Sequence, residues 1–188
     1  MTVRVNVRLH TGVYWRWVQD ADTADPGDCQ PQHDHPGRYH RVGDPGRWYG
    51  GSCPLGTWCE WRRYNTYLRK AHPVRMGCFR IADLRVIDLT ETDVLRALGQ
   101  DWEDLQKAAD YGVTQDIADL FFRGGVTEQV DGLVAPSARC DAHTMLVVQR
   151  AALARHVTPV HGRSWSLQSP PHYLSRLRAY PTPVGSGV

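Results

Sequence analysis

Residues 38–60 read RYHRVGDPGRWYGGSCPLGTWCE, and this stretch contains the change from strand to helix that decides the fold. Its first part, 38–52, predicts two short strands around a Gly-Asp-Pro-Gly turn. The Ser-Cys-Pro segment that follows supplies a cap and a proline for the first turn of a helix, which we expect to run to about Lys70. Glu60 lies on that predicted helix.

On the N-terminal side, the sequence predicts two further strands and a long loop. Apolar residues alternate with polar ones over 3–9, which is the period-two pattern of a half-buried strand. A second strand is expected at 13–18, where aromatic residues are dense. The stretch 20–37 is rich in Asp, Pro, Gly and His, and it predicts a loop that lies within one domain.

On the C-terminal side, strands and helices follow each other without strict alternation. We expect Thr90 to cap a helix. The tail at 181–188 is expected to be frayed. The predicted elements are strand 79–89, the Thr90-capped helix, helix 101–110, helix 114–122, strand 131–135, strand 145–148 and a short helix after Pro171. This order favours a single α+β domain over residues 1–188 rather than an alternating parallel α/β fold.

The composition is that of a soluble globular protein. Of the 188 residues, 41% are hydrophobic and 22% are charged. The sequence contains no apolar run of about 18 residues that could span a membrane, and its first ten residues lack the apolar core of a signal peptide. We therefore expect a cytoplasmic protein without a membrane partner, and its five cysteines are interpreted as free thiols.

Basic residues are strongly biased toward arginine. Of the 22 basic residues, all except Lys70 and Lys107 are arginine. The bias fits either a GC-rich genome or a need for guanidinium groups that bind phosphates in pairs, and composition alone does not choose. The formal net charge is only +2, so a nucleic-acid-binding module is the weaker interpretation.

The common metal and phosphate motifs are missing. Nine histidines suggest a metal site, but no pair of C-x-x-C units is present. The sequence contains neither a Walker A motif nor G-x-G-x-x-G, and Ser137 does not lie in the G-x-S-x-G setting of a serine hydrolase.

Five polar residues instead stand within apolar or aromatic surroundings. Each has an ordinary structural explanation by itself, such as a solvated helix face or a cap. The five are Arg16, Arg38, Tyr49, Glu60 and Ser137.

Together these residues form a recognisable pattern. Eleven positions separate Arg38 from Tyr49, and eleven more separate Tyr49 from Glu60; the segment G-L-V-A-P-S-A-R follows at 132–139. This arrangement resembles the RES domain family, and the resemblance covers about residues 13–150.

The resemblance implies an enzyme that consumes NAD as a phosphorylase or glycohydrolase and acts as the toxin of a bacterial toxin–antitoxin pair. It also implies a fold similar to that of ADP-ribosylating toxins, which we expect as mixed, mostly antiparallel sheets around a cleft with flanking helices. The five polar residues would line that cleft, with NAD as substrate and no metal. An antitoxin that covers the cleft is the expected partner, and a homo-oligomer is left open.

Cleavage of the nicotinamide–ribose bond builds positive charge on the sugar, as in glycoside hydrolysis. The Glu60 carboxylate is suited to stabilise that charge. Arg16 and Arg38 are suited to hold the pyrophosphate, and Tyr49 offers a flat face to the nicotinamide or adenine ring, with a hydroxyl to orient it. Ser137 is expected to bond either the carboxamide or a phosphate, and in this interpretation Glu60, Arg16 and Ser137 are the catalytic set.

Three alternatives remain at this point. ADP-ribose could be transferred to a protein or small-molecule acceptor instead of water or phosphate. From other functional classes, the chain could bind nucleic acid, or it could be an interaction protein with a degenerate cleft.

Overall fold

The computed structural model describes residues 5–19, 27, 29, 36–65, 74–107, 111–124, 128–138 and 143–167. Most of the predicted loop at 20–37, the predicted helix after Pro171 and the tail at 181–188 lie outside the described residues. None of the described helices is long and apolar enough to cross a membrane.

The described residues form six strands and five helices. The strands are β1 (Arg8–Gln19), β2 (Arg47–Gly51), β3 (Val74–Asp88), β4 (Gly132–Pro136), β5 (Thr144–Gln149) and β6 (Val157–Leu167). The helices are α1 (Pro54–Asn65), α2 (Thr92–Leu98), α3 (Trp102–Lys107), α4 (Gly112–Phe122) and α5 (Arg150–His156).

Five of the strands close into a barrel-like sheet. Their order is β1-β2-β5-β4-β3, and β3 pairs again with β1 to complete the ring. The β3–β4 pairing is parallel, whereas β1–β2, β1–β3, β2–β5 and β4–β5 are antiparallel. β6 is added along the first half of β3. The predicted single α+β domain is confirmed. The predicted arrangement of sheets around a cleft is not confirmed, because one sheet closes on itself.

The N-terminal strand differs from the prediction. Instead of two strands at 3–9 and 13–18, a single strand β1 runs from Arg8 to Gln19, with an irregularity between His10 and Gly12. Its partner β3 has 15 residues and offers hydrogen-bonding groups along the whole of β1. Val5 and Val7 precede the strand and pack against the helical side of the core.

The interior of the barrel is filled by side chains from all five strands. Trp48 is completely buried, and its ring packs edge-on against Phe79 with 5.4 Å between the ring centroids. A Cβ atom at Gly50 would lie 2.4 Å from the Trp48 ring, so this position has no room for a larger residue. The other interior residues include Tyr14, Ile81, Leu84, Val86, Val134, Leu146 and Val148.

The opposite face of β4 and β5 is covered by helices. Leu133 and Val147 alternate with the interior residues and pack against α2, α3 and α4, as the period of two requires. Thr90 does not cap α2 as predicted; its hydroxyl donates to Asp88 Oδ1 at 2.5 Å. The residue at the cap position of α2 is Glu91, which makes no side-chain cap bond.

Helix α1 packs against a different part of the barrel. Trp58, which is 3% exposed, lies in a cluster with Met76 and with Trp15 and Trp17 of β1. Gly51 permits this close approach, because a Cβ there would lie 2.3 Å from Thr57 Oγ1. The predicted helix after residue 53 is therefore confirmed over 54–65.

Candidate active site

The first part of the site is a contact between α1 and the end of β4. Ser137 follows β4 directly, is 1% exposed, and its hydroxyl donates to Glu60 Oε1 at 2.6 Å. The residues are 77 positions apart in the sequence, and the fold brings them together. Thr57 helps to fix α1, since its hydroxyl donates to the Trp15 carbonyl of β1 at 3.2 Å.

The backbone of Ser137 is held on both sides. Its N–H donates to the carbonyl of His143 at 3.0 Å, and its own carbonyl accepts from Gln106 Nε2 of α3 at 3.2 Å. These bonds fix the position of the hydroxyl, and the hydroxyl in turn orients the Glu60 carboxylate.

The second part of the site is the turn at 37–40, which carries Arg38. This turn is closed by a bond from the Gly37 N–H to the His40 carbonyl at 3.0 Å. Gln115 Nε2 of α4 donates to the same two residues, at 2.9 Å to the Gly37 carbonyl and 3.1 Å to the His40 carbonyl. The Thr114 hydroxyl donates to the Arg38 carbonyl. Helix α4 therefore shapes the turn through its side chains.

Arg38 and Tyr39 each present a buried polar atom for which the described residues provide no hydrogen-bond partner. These atoms are Nη2 of Arg38 and the hydroxyl oxygen of Tyr39. Buried polar groups are nearly always satisfied in folded proteins, so an unsatisfied pair requires an explanation such as a missing ligand. The guanidinium carbon lies 5.8 Å from the centroid of the Tyr39 ring.

The electrostatics link this turn to Glu60. Burial raises the pKa of Tyr39 to about 12, the positive charge of Arg38 lowers this pKa, and the negative charge of Glu60 raises it. Both charged groups therefore lie close enough to act on the same phenol. At neutral pH this phenol is protonated and can donate a hydrogen bond.

Tyr49 is also joined to the turn. Its hydroxyl accepts from the Tyr39 N–H at 3.2 Å and lies 2.8 Å from Nδ1 of His40. We predicted that this hydroxyl orients a ring of NAD, but in the structure it is engaged by the turn next to Arg38. The role of Tyr49 in contacting NAD stays a prediction.

Arg16 lies on β1, and its guanidinium carbon is 5.8 Å from the centroid of the Trp48 ring. Two groups of predicted residues are thus in contact: Tyr49 with the turn that carries Arg38, and Ser137 with Glu60. The charge of Glu60 on Tyr39 relates the two groups. Arg16 lies instead over Trp48.

Three residues that support the site were not predicted from the sequence. Tyr39 and His40 lie beside Arg38 in the same motif, but nothing in the motif indicates that the phenol is buried. Gln106 bonds the carbonyl of Ser137 from a helix whose sequence gave no functional signal.

Within the described ranges, no three His, Cys, Asp or Glu side chains converge as the ligands of a metal ion would. The polar groups of the site are a carboxylate, a guanidinium, hydroxyls and phenols. Such a set can bind an organic anion and stabilise positive charge close to the carboxylate.

Comparisons with known proteins agree with the motif. The model of the RES domain matches residues 8–169. A relative from Mycobacterium tuberculosis, named as a probable NAD(+) phosphorylase, is 31% identical over 174 residues, which are 90% of this chain and 78% of the relative.

A similarity to a solved structure concerns the fold. A chain in the crystal structure of the M. tuberculosis MbcT-MbcA toxin–antitoxin complex aligns with a TM-score of 0.72 and 18% identity. The alignment covers 93% of this chain and 92% of that one. The two chains therefore share a fold.

The burial of the Tyr39 phenol can be tested by following tyrosine ionisation as the pH is raised. We expect Tyr39 of the folded chain to ionise with a pKa of about 12 rather than near 10, and Tyr39→Phe to remove the transition at about 12. Because the raised pKa belongs to the folded state, its contribution to stability is present below pH 10 and is lost as the pH rises toward 12.

Ultraviolet difference spectra measure the ionisation directly. Tyr111→Phe, at the start of α4, is the matched control and should retain the Tyr39 transition. Ionisation of every tyrosine near pH 10 in the folded protein would show that Tyr39 is not buried in this way.

Proposed function

Because the chain belongs to the RES domain family, as its motif spacing predicted, we propose that it cleaves the nicotinamide–ribose bond of NAD and transfers ADP-ribose to phosphate or water. The observation that carries this proposal is the 2.6 Å hydrogen bond from Ser137 to Glu60, whose negative charge acts on Tyr39 in the turn that carries Arg38. In the same turn, Nη2 of Arg38 is buried and has no hydrogen-bond partner among the described residues.

Glu60 is the proposed catalytic residue. As the glycosidic C–N bond breaks, its electron pair moves to the nicotinamide nitrogen and positive charge develops on the ribose. A fixed carboxylate near that sugar stabilises the developing charge most strongly where water is excluded. Since Ser137 holds one carboxylate oxygen, the other oxygen is available to accept a bond from a ribose hydroxyl.

Ser137 is proposed as a positioning residue. The sequence left open whether its hydroxyl bonds the carboxamide or a phosphate of NAD, whereas its contact with Glu60 supports a role in orienting the carboxylate. Its 1% exposure makes a direct contact with a large substrate less suitable as its main role.

Arg38 and Arg16 are proposed to hold the pyrophosphate. Guanidinium groups bind phosphate oxygens in pairs, and Nη2 of Arg38 is a donor for which the described residues provide no acceptor. The protonated phenol of Tyr39 supplies a second donor beside it. The aromatic face of Tyr49 is proposed to contact a ring of NAD while its hydroxyl anchors the turn.

No metal step is proposed. The nicotinamide of NAD is already cationic and leaves as a neutral molecule, so the reaction does not need a Lewis acid to activate it. We further propose that the site forms the cleft expected from ADP-ribosylating toxins, at the junction of α1, the end of β4 and the turn at 37–40.

A toxin–antitoxin setting in the cytoplasm is the proposed biological context. The solved structure with the same fold belongs to such a complex. Uncontrolled loss of NAD would harm the cell that makes the enzyme, so a protein that covers this site is the expected partner. Transfer to a protein or small-molecule acceptor is the alternative outcome of the experiment below.

The acceptor is tested by incubation with NAD in the presence and absence of phosphate, followed by mass analysis. We expect ADP-ribose phosphate with phosphate present and free ADP-ribose without it, because the relative is named as a probable NAD(+) phosphorylase. A modified macromolecule as the main product would favour the alternative acceptor. Unchanged NAD under both conditions would contradict the proposed activity.

Replacement of the carboxylate tests its role. Glu60→Gln should retain binding of NAD but lower kcat by about 10²–10³, because the amide keeps the shape and loses the charge. Single-turnover measurements separate the chemical step from binding. Glu103→Gln, on the exposed surface of α3, is the matched control and should be unaffected. An unchanged kcat in Glu60→Gln would remove Glu60 from catalysis.

A further inference from the structure

A thiol and an imidazole are in contact at the start of α1, apart from the residues proposed to bind NAD. Sγ of Cys53 lies 3.2 Å from Nδ1 and 3.4 Å from Nε2 of His143. The same sulfur accepts a hydrogen bond from the Gly56 N–H in the first turn of α1 at 3.2 Å. Both side chains are half-buried, so a small reagent can reach them.

The local sequence makes room for this pair. A Cβ atom at Gly56 would lie 2.8 Å from both Cγ and Cδ2 of His143. Glycine lowers the stability of a helix relative to alanine, so this position gives up helix stability where the imidazole packs against the helix. The ring is therefore seated on the first turn of α1, beside the thiol.

Two features of the environment bear on transfer of the thiol proton to the ring. Burial lowers the pKa of His143, which makes the ring a weaker base but keeps it neutral at neutral pH, in the form that can accept a proton. With both ring nitrogens close to Sγ, either tautomer offers a proton acceptor. The N-terminal end of a helix and its N–H groups stabilise a thiolate at this position.

We propose that Cys53 and His143 form a nucleophilic pair and that Cys53 is a site of covalent modification by small soft electrophiles, including peroxides. The thiol proton moves to the His143 ring, and the thiolate sulfur attacks the electrophile. With hydrogen peroxide, a sulfur–oxygen bond forms and the O–O bond breaks. The sulfur is oxidised to a sulfenic acid, while the released hydroxide takes the proton from the imidazolium and becomes water.

Two hydrogen bonds connect the Cys53–His143 pair to the residues of the proposed active site. The His143 carbonyl accepts the hydrogen bond from the N–H of Ser137, which orients Glu60. The Cys53 sulfur itself bonds the first turn of α1, the helix that carries Glu60. An added group on the sulfur would displace the ring or the helix start, and we therefore propose that it lowers NAD cleavage. This second part rests on the proposed function, whereas the reactivity of Cys53 does not.

The reactivity is tested by alkylation with iodoacetamide at pH 7, followed by peptide mass mapping over time. Cys59, half-buried on the same helix, is the internal reference. We expect Cys53 to react about tenfold faster than Cys59, and His143→Gln to lower the Cys53 rate by about the same factor. Gly56→Ala should also lower the rate, because it displaces the ring while favouring the helix.

Two outcomes of the alkylation experiment would contradict the proposed pair. A Cys53 rate equal to that of Cys59, or a rate unaffected by both His143→Gln and Gly56→Ala, would overturn the proposed pair. Circular dichroism and the Tm of each variant confirm that the rates compare folded proteins.

The effect on the active site is measured separately by NAD cleavage before and after treatment with hydrogen peroxide. Activity should fall as the Cys53 sulfenic acid forms, and a thiol reductant should restore it. Cys53→Ser retains a capping side chain, so it should be as active as the parent and resistant to peroxide. Equal peroxide sensitivity in Cys53→Ser would refute the link between the thiol and the active site. Absence of NAD cleavage in the untreated parent would instead count against the proposed function and leave the alkylation result unaffected.

Discussion

The pairing of β1 with β3 is the constraint on which the rest of the structure depends. This pairing closes five strands into a barrel-like sheet. The closed sheet limits the space in which Trp48 and the other interior side chains pack. Closure also determines where α1 can lie, since its Trp58 face packs on β1 and β3. From that position Glu60 reaches the residue that follows β4. A carboxylate and a serine that are distant in the sequence thus become hydrogen-bonded partners.

In the candidate site, backbone groups are hydrogen-bonded, whereas two buried side-chain donors have no hydrogen-bond partner among the described residues. The bonds that shape the backbone are made: α4 holds the turn at 37–40, and α3 holds Ser137. Among the buried polar atoms for which the described residues provide no hydrogen-bond partner are Nη2 of Arg38 and the hydroxyl oxygen of Tyr39, two consecutive residues of this turn. Leaving such groups buried without partners costs about 1–3 kcal/mol each, and a bound anion would remove that cost. Under the proposed function, these two donors would bind the pyrophosphate of NAD.

Much of this architecture could be predicted from local patterns in the sequence. The helix after Pro54 and the buried strand after Asp131 follow from capping and apolar periodicity, and both are present. The length of β1 could not be predicted, because it is set by a partner strand whose paired residues lie 55–78 positions away in the sequence. Helix α5 and β6 were missed, since the segment 150–167 has neither a clear cap nor an alternating pattern.

The candidate site was predictable only in part. The spacing of Arg38, Tyr49 and Glu60 identified the family, but spacing does not specify which atoms touch. The engagement of the Tyr49 hydroxyl by the turn and the burial of Tyr39 both depend on how the turn packs on α4, which is a tertiary effect. The contact between Cys53 and His143 depends likewise on the close approach of two distant segments at Gly56.

We propose that the guanidinium of Arg38, whose Nη2 has no hydrogen-bond partner among the described residues, binds NAD at the site of the Glu60 carboxylate. The most direct test of this proposal is calorimetric titration with NAD of Arg38→Met in the Glu60→Gln background, in which turnover is slow. Arg80→Met, on the exposed face of β3, serves as the matched control. We expect Arg38→Met to weaken binding by about tenfold or more and Arg80→Met to leave it unchanged. Equal affinity of the Arg38→Met and control proteins for NAD would contradict the proposal.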